Sequence, residues 1–210
     1  MTPEIEMLKV RGELYAVLSN LFMRPPTRTF EKDFREGILP FLLKIRDIAK
    51  GEEWDESIEA GISLLEKWSF NSKGNVGTEF TKLFRGLRKT GIPPPYESVY
   101  AGEEQVMGDV SDSVKSFYKE AGLKLADSFQ GEPPDHIGFE IFFLGYLCNK
   151  ELEDDNTKKI KARFMQEHLM RWAVPFLRKV QQSGSEFYGG VSMITEGILR
   201  MESRECAQKV

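Results

Sequence analysis

The chain has 210 residues, of which 40% are hydrophobic and 30% are charged, and its formal net charge is −4 at pH 7. This composition is typical of a globular protein that buries a core without disulfides, and its acidic balance argues against a nucleic-acid scaffold. The first residues resemble no signal peptide, and the longest apolar run, 141–148, is too short to span a bilayer, so we expect a soluble cytoplasmic protein without stable membrane insertion.

Apolar residues recur at three- and four-residue steps along most of the chain, which predicts helices, and no alternating strand pattern is found. The first helix should end at Pro25-Pro26, because proline lacks an amide proton and disfavours helix in the preceding residue. Thr27 or Thr29 can cap the next helix, which Pro40 can bend or divide. The predicted helices cover residues 5–22, 27–48, 54–68, 78–84, 111–121, 135–149, 158–180 and 191–203.

Two proline-rich stretches interrupt this helical pattern. Residues 86–107 include three consecutive prolines and are expected to contain no regular helix. Residues 129–136 place Pro133 and Pro134 directly before an apolar run, and the helix that follows is apolar on nearly all sides, as in a central buried helix. The sequence therefore predicts an all-α fold: a single helical bundle with two proline-rich loops, forming one domain over residues 1–210.

The helix predicted over residues 158–180 has an aromatic and apolar stripe with a four-residue spacing. Its members are Ile160, Phe164, His168, Trp172 and Phe176. A lone histidine on such a face is more often a core residue than a catalyst. We therefore expect Phe164, His168 and Trp172 to be structural or to line a groove.

The arrangements that enzymes use are missing from the sequence. His136 and Glu140 share a helix face and His168 lies on another helix, but the chain has no Glu-x-x-His motif of the kind that holds two metal ions in helical bundles. Ser128 has no glycine-flanked nucleophile elbow, and no phosphate-binding loop is present. We expect no catalytic residue, no metal and no cofactor.

A binding surface fits the two proline-rich stretches better. Glu132 and Asp135 place carboxylates beside His136 at a helix start, where they can face a ligand. The other stretch contributes Tyr96, Glu97, Tyr100 and Glu103. Carboxylates beside aromatic and proline surfaces suit a guanidinium, which pairs bidentately and stacks. Alternatively, each carboxylate caps a helix or pairs with a local arginine, and for Asp135 both interpretations stay open.

Several segments together resemble one protein family. They are YAVLSNLFMRPP (15–26), EFTKLFRG (79–86), PPPYESVY (93–100), EPPDHIGFEIFFLGYLC (132–148) and FMQEHLMRWAVPF (164–176). In this order they resemble the TorD/DmsD/NarJ family of cytoplasmic chaperones, which assist the maturation of molybdenum-containing oxidoreductases. The resemblance implies an all-α fold that is monomeric or a domain-swapped dimer, and it implies binding rather than catalysis.

The resemblance also implies the partner and the site. The partners would be the catalytic subunit of a molybdopterin oxidoreductase and its N-terminal twin-arginine signal peptide, held back from export until the cofactor is inserted. Asp135 and His136 match the family motif beside the proposed peptide groove. The full set of expected peptide-binding residues is Tyr96, Glu97, Ser98, Tyr100, Glu132, Pro133, Asp135 and His136.

Two other classes of function remain open at this stage. One is a metal- or nucleotide-dependent hydrolase built on a helical bundle, and the other is a general adaptor that binds amphipathic helices. Some family members have been suggested to bind guanine nucleotides weakly, but this chain lacks a phosphate loop. The identity of the client enzyme is not encoded in any motif.

Overall fold

A computed structural model describes residues 3–49, 56–71, 75–85, 92–104, 106–124, 132–152, 154 and 156–208. Within these residues the regular structure is helical, and the only β feature is an isolated bridge between Tyr96 and His136. The all-α prediction is confirmed. The helices are α1 (Pro3–Met23), α2 (Phe30–Asp33), α3 (Leu39–Ala49), α4 (Glu56–Asn71), α5 (Val76–Phe80), α6 (Glu97–Ala101), α7 (Asp109–Glu120), α8 (Ile137–Lys150), α9 (Asn156–Phe164), α10 (Met170–Gln181) and α11 (Glu186–Gln208).

Short π-helical turns continue some of these helices. They cover Phe34–Ile38, Thr81–Arg85 and Met165–Leu169. The first precedes Pro40. Proline has no amide proton to donate, so the α-helical hydrogen-bond pattern is interrupted near this residue, in agreement with the prediction that Pro40 bends or divides the helix. Thr29 is the N-cap of α2, as expected for Thr27 or Thr29, but its hydroxyl donates to Asp33 Oδ2 at 2.8 Å instead of capping a backbone amide.

The chain divides into two compact units that interleave in sequence. The first unit comprises Met1–Met23, Pro95–Ala173 and Cys206–Val210, and the second comprises Arg24–Pro94 and Val174–Glu205. The single domain expected over residues 1–210 stays a prediction. Among the described residues, no helix is both long and apolar enough to cross a bilayer.

In the first unit, α8 packs closely against α1. Most of its side chains are buried, as expected for a central helix, although Phe142 is 40% exposed. Small residues permit the close approach: a Cβ added at Gly145 would lie 2.9 Å from Tyr15 Cβ and 3.2 Å from the Gly12 carbonyl oxygen. The Ser19 hydroxyl donates to the Gly138 carbonyl at 2.8 Å. The α1–α8 contact thus depends on residues without bulk.

Replacing Gly145 by alanine should therefore destabilise the protein by about 1–3 kcal/mol, because the added methyl group meets atoms that cannot move aside without separating the helices. The matched control is Gly189→Ala in α11, where the new Cβ meets only Leu64 Cδ2 at 3.7 Å. That change should be neutral or stabilising, since alanine favours helix. Urea unfolding curves measure both, and equal midpoints for the two variants would contradict the close packing.

In the second unit, aromatic rings and glycines bring α11 against its neighbours. Phe187 contacts the rings of Phe34 and Trp68, with centroid distances of 5.4 and 4.7 Å. A Cβ at Gly61 of α4 would lie 2.7 Å from the carbonyl oxygen of Gly190 in α11. The helix predicted over residues 191–203 is therefore too short. The glycines directly before residue 191 lie inside α11, where their lack of a side chain permits the close contact with α4.

A second correction concerns residues 86–107, which were expected to contain no regular helix. Helix α6 lies within this stretch, directly after the prolines. Tyr96 is extended and serves as its N-cap, and Gly102 ends it with a φ of 81°. Prolines that precede a helix remove none of its hydrogen bonds, so the three prolines do not prevent a helix from starting after Pro95. Residues 54–55, 86–91, 105 and 128–131 of the predicted elements lie outside the described residues.

Candidate functional site

The two proline-rich stretches meet in the first unit. Tyr96 and His136 form the antiparallel bridge, and their rings lie edge to face with centroids 5.2 Å apart. Two backbone hydrogen bonds flank the bridge: Glu97 N–H to Asp135 O at 3.0 Å and Ile137 N–H to Pro95 O at 2.9 Å. Two segments that the sequence analysis selected separately therefore form one structural element.

Asp135 is buried at the centre of this element. Its side chain is 0% exposed, and its carboxylate accepts hydrogen bonds from the Ser98 amide at 2.9 Å and from the Ser111 hydroxyl at 2.6 Å. Of the two interpretations that the sequence left open for Asp135, these hydrogen bonds match the capping one, because both oxygens are engaged within the fold. The carboxylate organises the starts of α6 and α7, and its part in peptide binding stays a prediction.

His136 also serves the fold directly. It is the N-cap of α8, where its Nδ1 accepts the Gly138 amide proton at 3.0 Å, and it is 4% exposed. Pro133 is buried, and its carbonyl accepts the His136 amide at 3.2 Å. Glu132 is half-buried and accepts a hydrogen bond from the Tyr96 hydroxyl at 3.3 Å. Of the predicted residues in 132–136, Glu132 presents the more accessible carboxylate.

His168 connects α6 and α7 through its ring nitrogens. Nδ1 lies 2.8 Å from Glu97 Oε2, and Nε2 lies 3.1 Å from the Ser113 hydroxyl. The ring contacts Phe117 and Phe164, with centroids at 5.2 and 5.5 Å, and the residue is 5% exposed. His168 is thus a buried residue with polar partners, and it lies in the Met165–Leu169 π-helical turn, a feature common at functional sites.

Glu140 is a buried carboxyl group in the apolar run of α8. It is 0% exposed, and the Trp172 indole N–H donates to its Oε2 at 3.1 Å. Its Oε1 accepts no hydrogen bond from the residues that the structure describes. Burial raises the pKa of Glu140 well above its ordinary value, and the neighbouring Glu97 carboxylate raises it further. Sequence reasoning weighed Glu140 only as a metal ligand, although a glutamate amid apolar residues was the available signal.

An open cavity of about 670 Å³ lies beside these residues. Its lining includes four predicted site residues, Glu97, Tyr100, His168 and Trp172, together with Ala101, Asp109, Val110, Ser113, Glu167 and Arg171. Burial raises the pKa of Tyr100 to about 12, so its hydroxyl stays protonated at neutral pH.

Aromatic and acidic groups dominate this lining. The Tyr100 and Trp172 rings have centroids 5.4 Å apart and form an aromatic wall. Asp109 and Glu167 are exposed carboxylates that sequence reasoning missed, because nothing near them in the sequence marks them as neighbours of Glu97. Arg171 is the cation of the lining.

Within the described part of the chain, no group of three or more His, Cys, Asp or Glu side chains is arranged to hold a metal ion. The partners of the His136 and His168 rings include a backbone amide, a hydroxyl and a carboxylate.

The sequence as a whole is similar to a known protein family and to proteins with assigned names. Residues 51–178 match the family model described as nitrate reductase delta subunit. The protein named "Probable Tat proofreading chaperone DmsD" of Haemophilus influenzae is 26% identical over 151 residues, 69% of each chain. Chaperone protein TorD of Vibrio parahaemolyticus is 25% identical over 207 residues, 92% of this chain and 93% of its own.

A solved structure from Archaeoglobus fulgidus, described as a candidate redox enzyme maturation protein, shares 22% identity with a TM-score of 0.47 and covers 93% of this chain and 92% of its own. The family model alone spans more than half of the present sequence, including both segments of the site. The resemblance inferred from the sequence is confirmed: this chain belongs to the nitrate reductase delta subunit family, the family of the TorD, DmsD and NarJ chaperones.

Proposed function

We propose that this protein is a chaperone for the maturation of a molybdopterin-containing oxidoreductase. In this proposal it acts in the cytoplasm, where it binds the catalytic subunit through an N-terminal twin-arginine signal peptide and delays export until the cofactor is inserted. Membership of the family and relatives named TorD and Tat proofreading chaperone support the maturation role. The function is one of binding, as the sequence analysis expected.

The observation that carries the peptide proposal is the chemistry of the cavity. Glu97, Asp109 and Glu167 supply three carboxylates against the single cation Arg171. The aromatic wall of Tyr100 and Trp172 offers a face on which a guanidinium can stack. A basic peptide segment therefore finds both charge and stacking in one place.

Asp135 and His136 would support this site from within the fold. Asp135 holds the start of α6 through the Ser98 amide, and the bridge partner of His136 is Tyr96, the N-cap of α6. Helix α6 carries both Glu97 and Tyr100. The predicted pair is thus expected to act on peptide binding by positioning residues that line the cavity.

Calorimetry with a synthetic signal peptide tests the proposal. A peptide with an Arg-Arg pair should bind with a Kd near 1 μM, about 8 kcal/mol, an affinity that permits later release. Asp109→Asn and Glu167→Gln should each weaken binding by about two- to fivefold, as expected for an exposed ion pair. Glu36→Gln, which alters an exposed carboxylate outside the cavity, is the matched control and should change nothing.

Peptide variants separate the proposal from a general helix-binding adaptor. Replacing Arg-Arg by Lys-Lys should weaken binding and Gln-Gln should nearly abolish it, because the cavity offers carboxylates and an aromatic wall to a guanidinium. An adaptor would bind the Gln-Gln peptide equally well. Equal affinity for all three peptides, or no binding of any, would contradict the proposed function.

A further inference from the structure

Glu97 and Glu140 form a pair of buried carboxyl groups. Glu97 in α6 is 5% exposed, and Glu140 in α8 is 0% exposed. Glu97 binds His168 and Glu140 binds Trp172, four residues further along the chain, so both carboxyl groups pack against the same helical segment. The Trp172 indole is the donor to Glu140 Oε2, while Oε1 accepts no hydrogen bond from the described residues. Because a buried carboxylate needs compensating charge and the neighbouring Glu97 carboxylate opposes it, the surroundings favour a proton on Glu140.

The surroundings of the pair keep that proton in place. From the 132–136 stretch Asp135 adds negative charge, and from α7 the buried Tyr118 faces the same group of carboxylates. From the π-helical turn His168 binds Glu97, and from α10 the Trp172 indole binds Glu140. Besides Glu97 itself, the acidic and basic side chains that line the cavity are Asp109, Glu167, Arg171 and His168.

The Glu97–Glu140 pair lies next to the cavity. Glu97 and Trp172, whose indole binds Glu140, are lining residues of the cavity, whereas Glu140 itself is fully covered. A cation in the cavity would therefore meet the Glu97 carboxylate first. Its positive charge would stabilise the state in which Glu97 and Glu140 are both ionised, because two negative charges in apolar surroundings need a positive charge nearby.

We infer that Glu97 and Glu140 form a proton-exchanging cation site, in which a guanidinium or ammonium group of the bound peptide lies against Glu97 and its charge replaces that of the proton held by Glu140. The proton leaves to solvent, and no covalent bond of the peptide changes. This inference rests on the proposed function and adds to it the site of the basic side chain and a linkage to pH. Burial, with the Glu97 carboxylate alongside, raises the pKa of Glu140 and so favours the protonated acid that the exchange needs.

The linkage sets the direction of the pH dependence. Because binding releases a proton, the affinity for the Arg-Arg peptide should rise with pH, by up to about tenfold per pH unit when one whole proton is released. A Gln-Gln peptide carries no cation to replace the proton. Any affinity that it retains should not change with pH.

Calorimetry in buffers of different ionisation enthalpy counts the released protons. At pH 7, wild-type protein should release up to one proton per Arg-Arg peptide. Glu140→Gln is the decisive variant, since its amide N–H can donate to Glu97 and its carbonyl oxygen can accept from Trp172. This variant should bind the peptide and release no proton. A change of the infrared carboxyl C=O band in wild-type protein on peptide addition gives a second measurement that needs no variant.

The outcomes separate the inference from the proposed function. Peptide binding without proton release by the wild type, or with equal release by Glu140→Gln, overturns the inference and leaves the function standing. Release that survives in Glu140→Gln and disappears in His168→Gln also overturns it and assigns the proton to the imidazole. Absence of peptide binding by the wild type rejects both. Release by the wild type with loss of the protonated carboxyl band supports both.

Discussion

Replacing Asp135 by alanine is expected to destabilise the protein by about 3–5 kcal/mol. The substitution leaves the Ser98 amide and the Ser111 hydroxyl, which are both buried, without their acceptor. Each unsatisfied buried donor costs about 1–3 kcal/mol, and hydrogen bonds to a carboxylate are the stronger kind. Asp135 thus contributes to the fold before any ligand arrives.

Urea unfolding measures this effect against two further variants. Ser111→Ala removes the donor at 2.6 Å and should cost about 1–3 kcal/mol. Asp112→Ala changes the exposed neighbouring carboxylate in α7 and should cost less than about 1 kcal/mol, mainly through the helix dipole. A cost below about 1 kcal/mol for Asp135→Ala would mean that the carboxylate does not organise α6 and α7, and direct contact with a ligand would then become the better account.

The second large effect concerns Glu140 and pH. Its pKa in the folded protein lies well above 4.5, so the native state keeps a proton that the unfolded chain releases. The stability that this group contributes is complete below the ordinary glutamate range and is lost as pH rises toward the folded-state pKa. The slope is about 1.4 kcal/mol per pH unit for one proton.

Glu140→Gln should remove this part of the pH dependence, because the amide keeps the hydrogen-bonding pattern of the protonated acid without titrating. At pH 4 the two proteins should differ little, and the variant should become the more stable one as pH rises. Urea midpoints at a series of pH values give the difference between the two proteins, in which other titrating groups cancel. Parallel profiles would contradict a raised pKa of Glu140 and would also remove the proton source for the inferred cation site.

Much of the helical framework follows from local sequence. The stripe of Ile160, Phe164, His168, Trp172 and Phe176 is buried at every position, as its spacing predicts. The stop at Pro25-Pro26 and the buried α8 also agree with the sequence. These features depend on periodicity and on the missing amide proton of proline, both of which act within a few residues.

Predictions of helix limits were less accurate where distant segments decide them. Gly190 interrupts the apolar pattern locally, yet it lies inside α11 because the Gly61 carbonyl of α4 approaches it closely. The start of α6 after Pro95 is supported by the Asp135 carboxylate, 37 residues away from the Ser98 amide that it accepts. A local pattern carries no information about such partners.

The sequence by itself determined that this protein is helical, which family it resembles, and which two stretches, around Tyr96 and around Asp135, are candidates for its site, because residue types and their short-range spacing express these properties. Only the tertiary structure decided which carboxyl groups are exposed. It buries Asp135 in hydrogen bonds, places Glu140 beside Glu97 and brings Asp109 and Glu167 to the same cavity. Exposure and the pKa of a carboxyl group depend on atoms that are far apart in the chain, so the chemistry of the site appears only once the helices are packed.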